Sequence, residues 1–340
     1  MNILGIESSC DECSAAVVAD GKKILSNVVA TQIDIHKPFM GVVPEIASRT
    51  HVEWIKGVIR TSLSESGLTL SDIDGIAVTA RPGLAGSLLV GLSYAKALSY
   101  ASGIPYVGID HIYAHIHAAH LEYDIPYPHM ALLVSGGHTI IAVVESYDSM
   151  KIMGTTIDDA CGEAFDKIAK FYGWGYPGGV IIDRMAQQGN PLAYAFPDPS
   201  LHKGEHKYDV SYSGLKTAVI NQIHQFRKPE TTEDIPENIA ASFQKTAIDM
   251  LIRRLKKAAK DTGLNRIVTG GGVAANSYLR KSLTDLSEKG FEVYIPSMKL
   301  CGDNGAMIAG LGYHYLKEGI TSDLSLNIMS KVMAFRKNYP

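Results

Sequence analysis

Cysteine is scarce in this chain. Only four of its 340 residues are cysteines, namely Cys10, Cys13, Cys161 and Cys301. So few thiols exclude a disulfide scaffold and are typical of a protein in a reducing compartment. Cys10 and Cys13 have the C-x2-C spacing of zinc and redox sites, but the sequence holds no second pair that would complete a zinc ribbon. We therefore interpret this spacing as accidental.

Long apolar runs and a strong net charge are also missing. No uninterrupted apolar stretch approaches the ~20 residues of a membrane helix. The sequence enters a strand pattern at once, which argues against a signal peptide, so we expect a cytoplasmic protein without a membrane partner. The formal net charge is −3, which means that the whole molecule does not attract nucleic acid. Any contact with RNA would need a local basic patch or a helper protein.

What the chain does have is the composition of a soluble globular protein, with 46% apolar and 20% charged residues. Its length favours two domains. Short apolar strands alternate with helical patterns, which favours an α/β architecture. Residues 3–19 and 130–144 repeat one pattern of strand, hydroxyl-rich turn and strand, and they begin about one domain length apart. This repetition predicts two related halves.

Two histidines one helical turn apart, His111 and His115, are the first candidates for chemistry. At positions i and i+4 they project from one helix face and could bind one metal ion. Asp303 precedes an apolar helical run and could supply a third ligand, a donor set that suits iron or zinc. Two other interpretations stay open: a plain polar pair on an amphipathic helix, and a helix N-cap for Asp303. The zinc-protease motif His-Glu-x-x-His is absent, because Ile112 and Tyr113 follow His111.

Two glycine-rich turns could bind phosphate. In residues 135–139 the backbone N–H groups can approach an anion without a Cβ in the way. Residues 270–276 close a strand and open a helix, where free N–H groups and the helix dipole favour an anion. Neither turn has the Walker or the Rossmann spacing, and a plain tight turn explains each of them as well. Together they make a nucleotide site a reasonable hypothesis.

Several carboxylates also lie near turns: Asp11, Glu12, Asp158, Asp159, Asp166 and Asp183. Helix capping explains Asp158 or Asp159, and solvation explains most of the others. Carboxylates beside glycine turns also hold ribose hydroxyls, which makes Asp166 and Asp183 candidate nucleoside ligands.

Seven segments taken together resemble one family. They are residues 5–12, 41–49, 111–115, 134–139, 162–167, 270–276 and 303–307. The chain resembles the bacterial form of TsaD (YgjD or Gcp), the tRNA N6-adenosine threonylcarbamoyltransferase family, from the first strand to residues 324–327. Arg81 stands where the family usually has Gly, and Tyr113 stands where bacterial members often have Glu. Neither departure removes a proposed ligand.

The resemblance implies the fold of actin, heat-shock chaperone ATPases and sugar kinases (ASKHA), with duplicated α/β subdomains in two lobes and a central ligand cleft. We expect one lobe over residues 1–122, completed by residues 310–340, and the other over residues 123–309. The resemblance also implies one divalent metal, most often Fe²⁺ with Zn²⁺ as an alternative, bound by His111, His115 and Asp303. The residues implied to contact threonylcarbamoyl-AMP are Val134, Ser135, Gly136, Gly137, His138, Asp166, Gly179, Asp183 and Asn276.

The implied reaction transfers a threonylcarbamoyl group from threonylcarbamoyl-AMP to N6 of adenosine 37, in tRNAs reading codons that start with A. The implied partners are tRNA, a TsaB-like paralogue and a TsaE-like ATPase. Asp11 or Glu12 is our candidate for the group that accepts the amine proton. A sugar-type kinase, a metallopeptidase and a non-catalytic scaffold are the rival hypotheses. The kinase gives no role to the histidines and the peptidase lacks a glutamate base, whereas a scaffold would be expected to lose the histidine pair.

Overall fold

Strands and helices alternate along the chain, as the apolar patterns predicted. The structure is a computed structural model that describes residues 1–200, 204–230 and 234–331. The strands are β1 Asn2–Glu7, β2 Glu12–Ala19, β3 Lys23–Thr31, β4 Gly75–Arg81, β5 Tyr106–Asp110, β6 His129–Val134, β7 Thr139–Ser146, β8 Ser149–Thr155, β9 Arg266–Gly270 and β10 Glu292–Tyr294. The helices are α1 Ile33–His36, α2 Pro44–Ser66, α3 Ala85–Ser102, α4 His111–His117, α5 Cys161–Phe171, α6 Gly178–Ala186, α7 Ser213–Asn221, α8 Ile223–Phe226, α9 Pro236–Thr262, α10 Ser277–Ser287, α11 Met298–Cys301 and α12 Gly305–Lys317.

Two compact units divide these elements. The first comprises Met1–Ile125 together with the described residues from Pro296 onward, and the second comprises Pro126–Ile295. The predicted lobes met at residues 122 and 309, so the units differ from them by placing residues 123–125 and 296–309 in the first unit. The predicted returning segment 310–340 falls in the first unit as far as residue 331. Its last part, residues 332–340, lies outside the described residues.

Each unit has one five-stranded sheet, and the two sheets have the same topology. The orders are β3-β2-β1-β4-β5 and β8-β7-β6-β9-β10. In both, a three-stranded antiparallel meander is extended by two parallel strands. The predicted α/β fold with duplicated subdomains is therefore confirmed.

The core of each unit lies between its sheet and its helices. Strand β1 is central and buries Ile3, Leu4 and Ile6 on both faces, as expected for a strand covered on both sides. Helices α2 and α3 pack against the first sheet, and α12 packs against β1, β2 and β4. In the second unit α9 supplies a long buried face against α6 and α10.

Local signals explain where the long helices begin and end. Helix α9 begins with Pro236, whose fixed φ suits the first helical position. It ends before Gly263, which has a left-handed φ of +72° and accommodates the chain reversal without a Cβ. Among the described residues, no helix combines the length and the apolarity needed to cross a bilayer.

His129, at the start of β6, makes the second unit sensitive to acid. The residue is fully buried, and burial lowers the pKa of its imidazole to about 4, with a further contribution from the positive charge of Arg266. The unfolded chain takes up this proton near the ordinary pKa of ~6.5. The contribution of neutral His129 is therefore complete above pH ~6.5 and decreases as the pH falls toward 4, by up to about 3 kcal/mol. Urea unfolding of the wild type and of His129→Leu between pH 7 and 4 should show a shallower pH dependence for the variant. Equal slopes would contradict this role.

Candidate functional site

The histidine helix α4 begins at the carboxyl end of strand β5. Asp110, the last residue of that strand, caps the helix, because its Oδ1 accepts hydrogen bonds from the backbone N–H groups of Ile112 (2.9 Å) and Tyr113 (3.4 Å). Arg81 Nε donates to the other oxygen, Oδ2, at 3.1 Å. The N-cap therefore fixes the direction in which the first turn of α4 presents His111.

His111 and His115 share one buried face of α4, as their spacing predicted. Their ring centroids lie 4.4 Å apart in an edge-to-face arrangement. His111 is 6% exposed and His115 is fully buried. Both histidines are therefore buried, whereas a plain polar pair on an amphipathic helix would face solvent. The second open interpretation, a helix N-cap, concerns Asp303.

Asp303 lies immediately before α12 but does not cap it. Asn304 is the N-cap, and its side-chain oxygen accepts from Met307 N at 3.1 Å. The carboxylate of Asp303 points instead to the histidines, with Oδ1 3.0 Å from His115 Nε2 and 3.6 Å from His111 Nε2. One ligand atom from each of the three residues falls within 4.8 Å of the others. Two imidazoles and one carboxylate at this spacing fit a divalent transition metal such as iron or zinc.

Glu7 completes the surroundings of His111, although the sequence did not single it out. It ends β1 and is fully buried. Its Oε2 lies 3.0 Å from His111 Nδ1 and accepts from Thr79 Oγ1 at 2.6 Å, and its Oε1 accepts from Ser9 N at 2.5 Å. Glu7, Thr79 and His111 lie at the carboxyl ends of the parallel strands β1, β4 and β5, the usual place for ligands in α/β sheets. A glutamate ending an otherwise apolar strand was the available signal.

The electrostatics of this cluster favour a cation. Burial works against the charged form of His111, but the negative charges of Glu7 and Asp303 outweigh it and raise the pKa of His111 to about 9. Burial and the neighbouring His111 lower the pKa of His115. Burial, then the charges of Asp303 and Asp11, raise the pKa of Glu12 well above its usual value. A bound cation would relieve this mutual repulsion of carboxylates, so the donor set and its charge both fit a metal.

The two candidate proton acceptors flank the start of β2. Asp11 is 7% exposed, and its backbone carbonyl accepts from Gln32 N at 3.2 Å. The Glu12 carboxylate accepts from Thr31 Oγ1 at 3.3 Å. The raised pKa of Glu12 makes its carboxylate, where ionised, a stronger base than an ordinary glutamate.

In the second unit, residues 135–138 form the turn between β6, which ends at Val134, and β7. Ser135 N donates to the His138 carbonyl at 2.8 Å, and His138 N donates to Ser135 Oγ at 3.1 Å. Two of the backbone donors expected to face an anion are therefore used within the turn. Gly136 and Gly137 are exposed at its tip, where their N–H groups can meet a ligand.

The other expected substrate residues of this unit form two clusters. Asp166 Oδ1 accepts from Gly178 N at 2.7 Å, which ties α5 to the first turn of α6. Asn276 caps α10 through Leu279 N at 3.0 Å and donates to Asp183 at 3.2 Å and to Gln244 at 2.7 Å. The structure thus brings Asp183 and Asn276 together. Gly179 has open space where a Cβ would stand.

Comparisons with known proteins point to one family. A model of the TsaD family, tRNA N6-adenosine threonylcarbamoyltransferase, matches residues 23–310. Proteins of that name from Treponema denticola and Treponema pallidum strain Nichols are 59% and 52% identical over 337 residues. These alignments cover 99% of this chain in both cases, with 99% and 95% of the respective relatives. A relative of the same name from Syntrophotalea carbinolica is 50% identical over 97% of this chain and 96% of its own length.

Solved structures of low identity support the fold alone. Full-length HypF in a phosphate- and nucleotide-bound form is 16% identical with a TM-score of 0.63, over 94% of this chain and 47% of HypF. The activator of the 2-hydroxyisocaproyl-CoA dehydratase from Clostridium difficile is 15% identical with a TM-score of 0.52, over 96% of this chain and 100% of the activator. Both agree with the predicted ASKHA class.

Proposed function

Because the chain belongs to the TsaD family of tRNA N6-adenosine threonylcarbamoyltransferases, we propose that its donor is threonylcarbamoyl-AMP and its acceptor is N6 of adenosine 37, in tRNAs that read codons starting with A. The N6 amine attacks the carbamoyl carbon, the bond from that carbon to the phosphate oxygen breaks, and AMP leaves with the electron pair. The amine proton passes to a carboxylate. The observation that carries the proposal is the cluster of His111, His115 and Asp303 in a chain that matches the family almost end to end.

One divalent metal, Fe²⁺ with Zn²⁺ as the alternative, would be held by His111, His115 and Asp303. When bound, such an ion supplies Lewis-acid polarisation of a donor oxygen. The protein's own residues position the reactants. An aromatic exocyclic amine is a poor nucleophile, so it gains most from being held close to the carbamoyl carbon that it attacks. Asp110 and Asn304 fix the two helix starts that present these ligands.

Residues of the second unit are proposed to hold the adenylate. The tip amides of Gly136 and Gly137 would stabilise the negative charge that builds on the leaving phosphate. Asp183, Asn276 and Asp166 are proposed contacts for the nucleoside, with Val134, Ser135, His138 and Gly179 lining the same ligand. Asp11 or Glu12 is proposed to accept the amine proton.

The proposed partners follow from charge and from the family. A net charge of −3 gives the whole chain little attraction for tRNA, so we propose that a TsaB-like paralogue and a TsaE-like ATPase complete the machinery in the cytoplasm.

Nucleoside mass spectrometry after depletion of the protein tests this function. We expect threonylcarbamoyladenosine to disappear from the tRNAs that read codons starting with A, and to return when the wild-type chain is supplied. A chain with His111→Ala should not restore it. If the depleted cells have no second enzyme of this kind and still contain undiminished threonylcarbamoyladenosine, the proposed function is wrong.

A further inference from the structure

We propose that Glu7 is a positioning residue that orients His111 and so sets the affinity of the metal centre. Glu7 holds His111 with Nδ1–H directed at its own carboxylate, which leaves Nε2 free to face Asp303. The inference rests on the proposed metal centre, and it assigns a role to a residue outside the three proposed ligands.

The ring orientation is visible in the distances. His111 Nδ1 lies 3.0 Å from Glu7 Oε2, whereas His111 Nε2 lies 3.6 Å from Asp303 Oδ1. An imidazole that binds a metal through one nitrogen normally donates the proton of the other nitrogen to a carboxylate or carbonyl. Glu7 therefore occupies the place of that outer acceptor.

A second neighbour of the same nitrogen makes the role of Glu7 specific. Ser9 Oγ lies 3.2 Å from His111 Nδ1. A hydroxyl can donate as well as accept, so Ser9 alone would allow the tautomer whose proton sits on Nε2. That tautomer cannot bind a metal through Nε2, the nitrogen that faces Asp303. An ionised carboxylate can only accept. Glu7 therefore excludes that tautomer, and Ser9 does not.

The carboxylate is itself held in place. Ser9 N donates to Oε1 at 2.5 Å, and Thr79 Oγ1 donates to Oε2 at 2.6 Å. Both carboxylate oxygens of this fully buried residue therefore have a hydrogen-bond donor from the protein. A Gln at this position keeps the shape but replaces one acceptor by an NH2 group, which would then face the N–H of Ser9 or the proton of His111.

Zinc binding by the full-length protein, measured without tRNA or adenylate, tests the proposal. After metal removal, Zn²⁺ is titrated in competition with a chromophoric chelator. We expect Glu7→Gln to weaken zinc binding about 10- to 100-fold, the usual loss for an outer partner of a metal-bound histidine. Ser9→Ala removes the other neighbour of Nδ1 and should weaken it by less than about tenfold, the range of one neutral hydrogen bond. Wild-type affinity in Glu7→Gln, or an equal loss in Ser9→Ala, overturns the proposal.

A measurement on the wild type keeps the proposal testable if Glu7→Gln fails to fold. In zinc-loaded protein, ¹H–¹⁵N correlation spectra of the imidazoles should show His111 protonated at Nδ1 and zinc-bound at Nε2. Zinc bound at Nδ1, or no zinc at His111, overturns it. Because neither readout involves tRNA, a protein that binds zinc as described but transfers nothing would refute the proposed function alone.

Discussion

Asp303→Asn is expected to abolish metal retention and to slow threonylcarbamoyl transfer by at least ~10²-fold, the usual loss when one preorganised electrostatic contact is removed from an active site. Asp303 is the anionic member of the ligand cluster, and its Oδ1 is 3.0 Å from His115 Nε2. An amide of the same shape donates where the carboxylate accepted and carries no charge to attract a cation. Metal content after dialysis and the rate of modified-nucleoside formation on a tRNA transcript measure the two effects.

The fold should survive this change. Asn304, not Asp303, caps α12, so no helix loses its cap. The variant would relieve the repulsion that raises the pKa of Glu12, but it would also lose the attraction between Asp303 and His111 that raises the pKa of His111. Because these two effects oppose each other, we expect the metal-free variant to melt within about 4 °C of the metal-free wild type, a difference of roughly 1 kcal/mol. Asp285→Asn, an exposed change on α10, is the matched control and should alter neither metal content nor rate. Full metal content in Asp303→Asn would show that the cluster is not the metal centre.

The helices and the duplicated hairpins were predictable because they depend on local periodicity. The repeated pattern at residues 3–19 and 130–144 lies at β1 and β2 in the first unit and at β6 and β7 in the second. Strand β3 was not anticipated, since its residues are only partly buried and show no clear apolar alternation. The boundary near residue 296 was also missed, because the chain returns to the first unit through tertiary packing of α12 rather than through a composition change.

The site was predictable in part for the same reason. The spacing of His111 and His115 specifies one helix face whatever surrounds it. Only Asp303 was considered as a cap from the sequence. Asn304 takes that role in the structure, and Asn and Asp cap helices about equally well. The role of Glu7 could not be predicted from the sequence. Its side chain contacts Thr79 on β4 and His111 after β5, and these residues meet only because the sheet order places the three strands side by side.

The second large expected effect is on stability. Gly271→Ala is expected to destabilise the protein by roughly 3 kcal/mol or more, from backbone strain and from overpacking. Gly271 has φ +90° and ψ 157°, a conformation essentially reserved for glycine. A Cβ there would stand 2.2 Å from the carbonyl oxygen of Val134, which is backbone and cannot rotate away. Urea unfolding followed by circular dichroism measures the loss.

Gly272→Ala provides the matched control, because the neighbouring glycine has no heavy atom within 4 Å of an added Cβ and no positive φ. Gly272→Ala should unfold with a free energy within about 1 kcal/mol of the wild-type value.

The contrast between the two variants also bears on the proposed adenylate site, because relief of the clash requires Val134 and the turn after it to move. We therefore expect Gly271→Ala, but not Gly272→Ala, to weaken AMP binding measured by calorimetry under conditions where both variants are folded. Equal stability of the two variants would show that the turn after β9 does not approach Val134 as closely as described. Unchanged AMP binding in Gly271→Ala would show that Val134 and the turn after it do not contact the nucleotide.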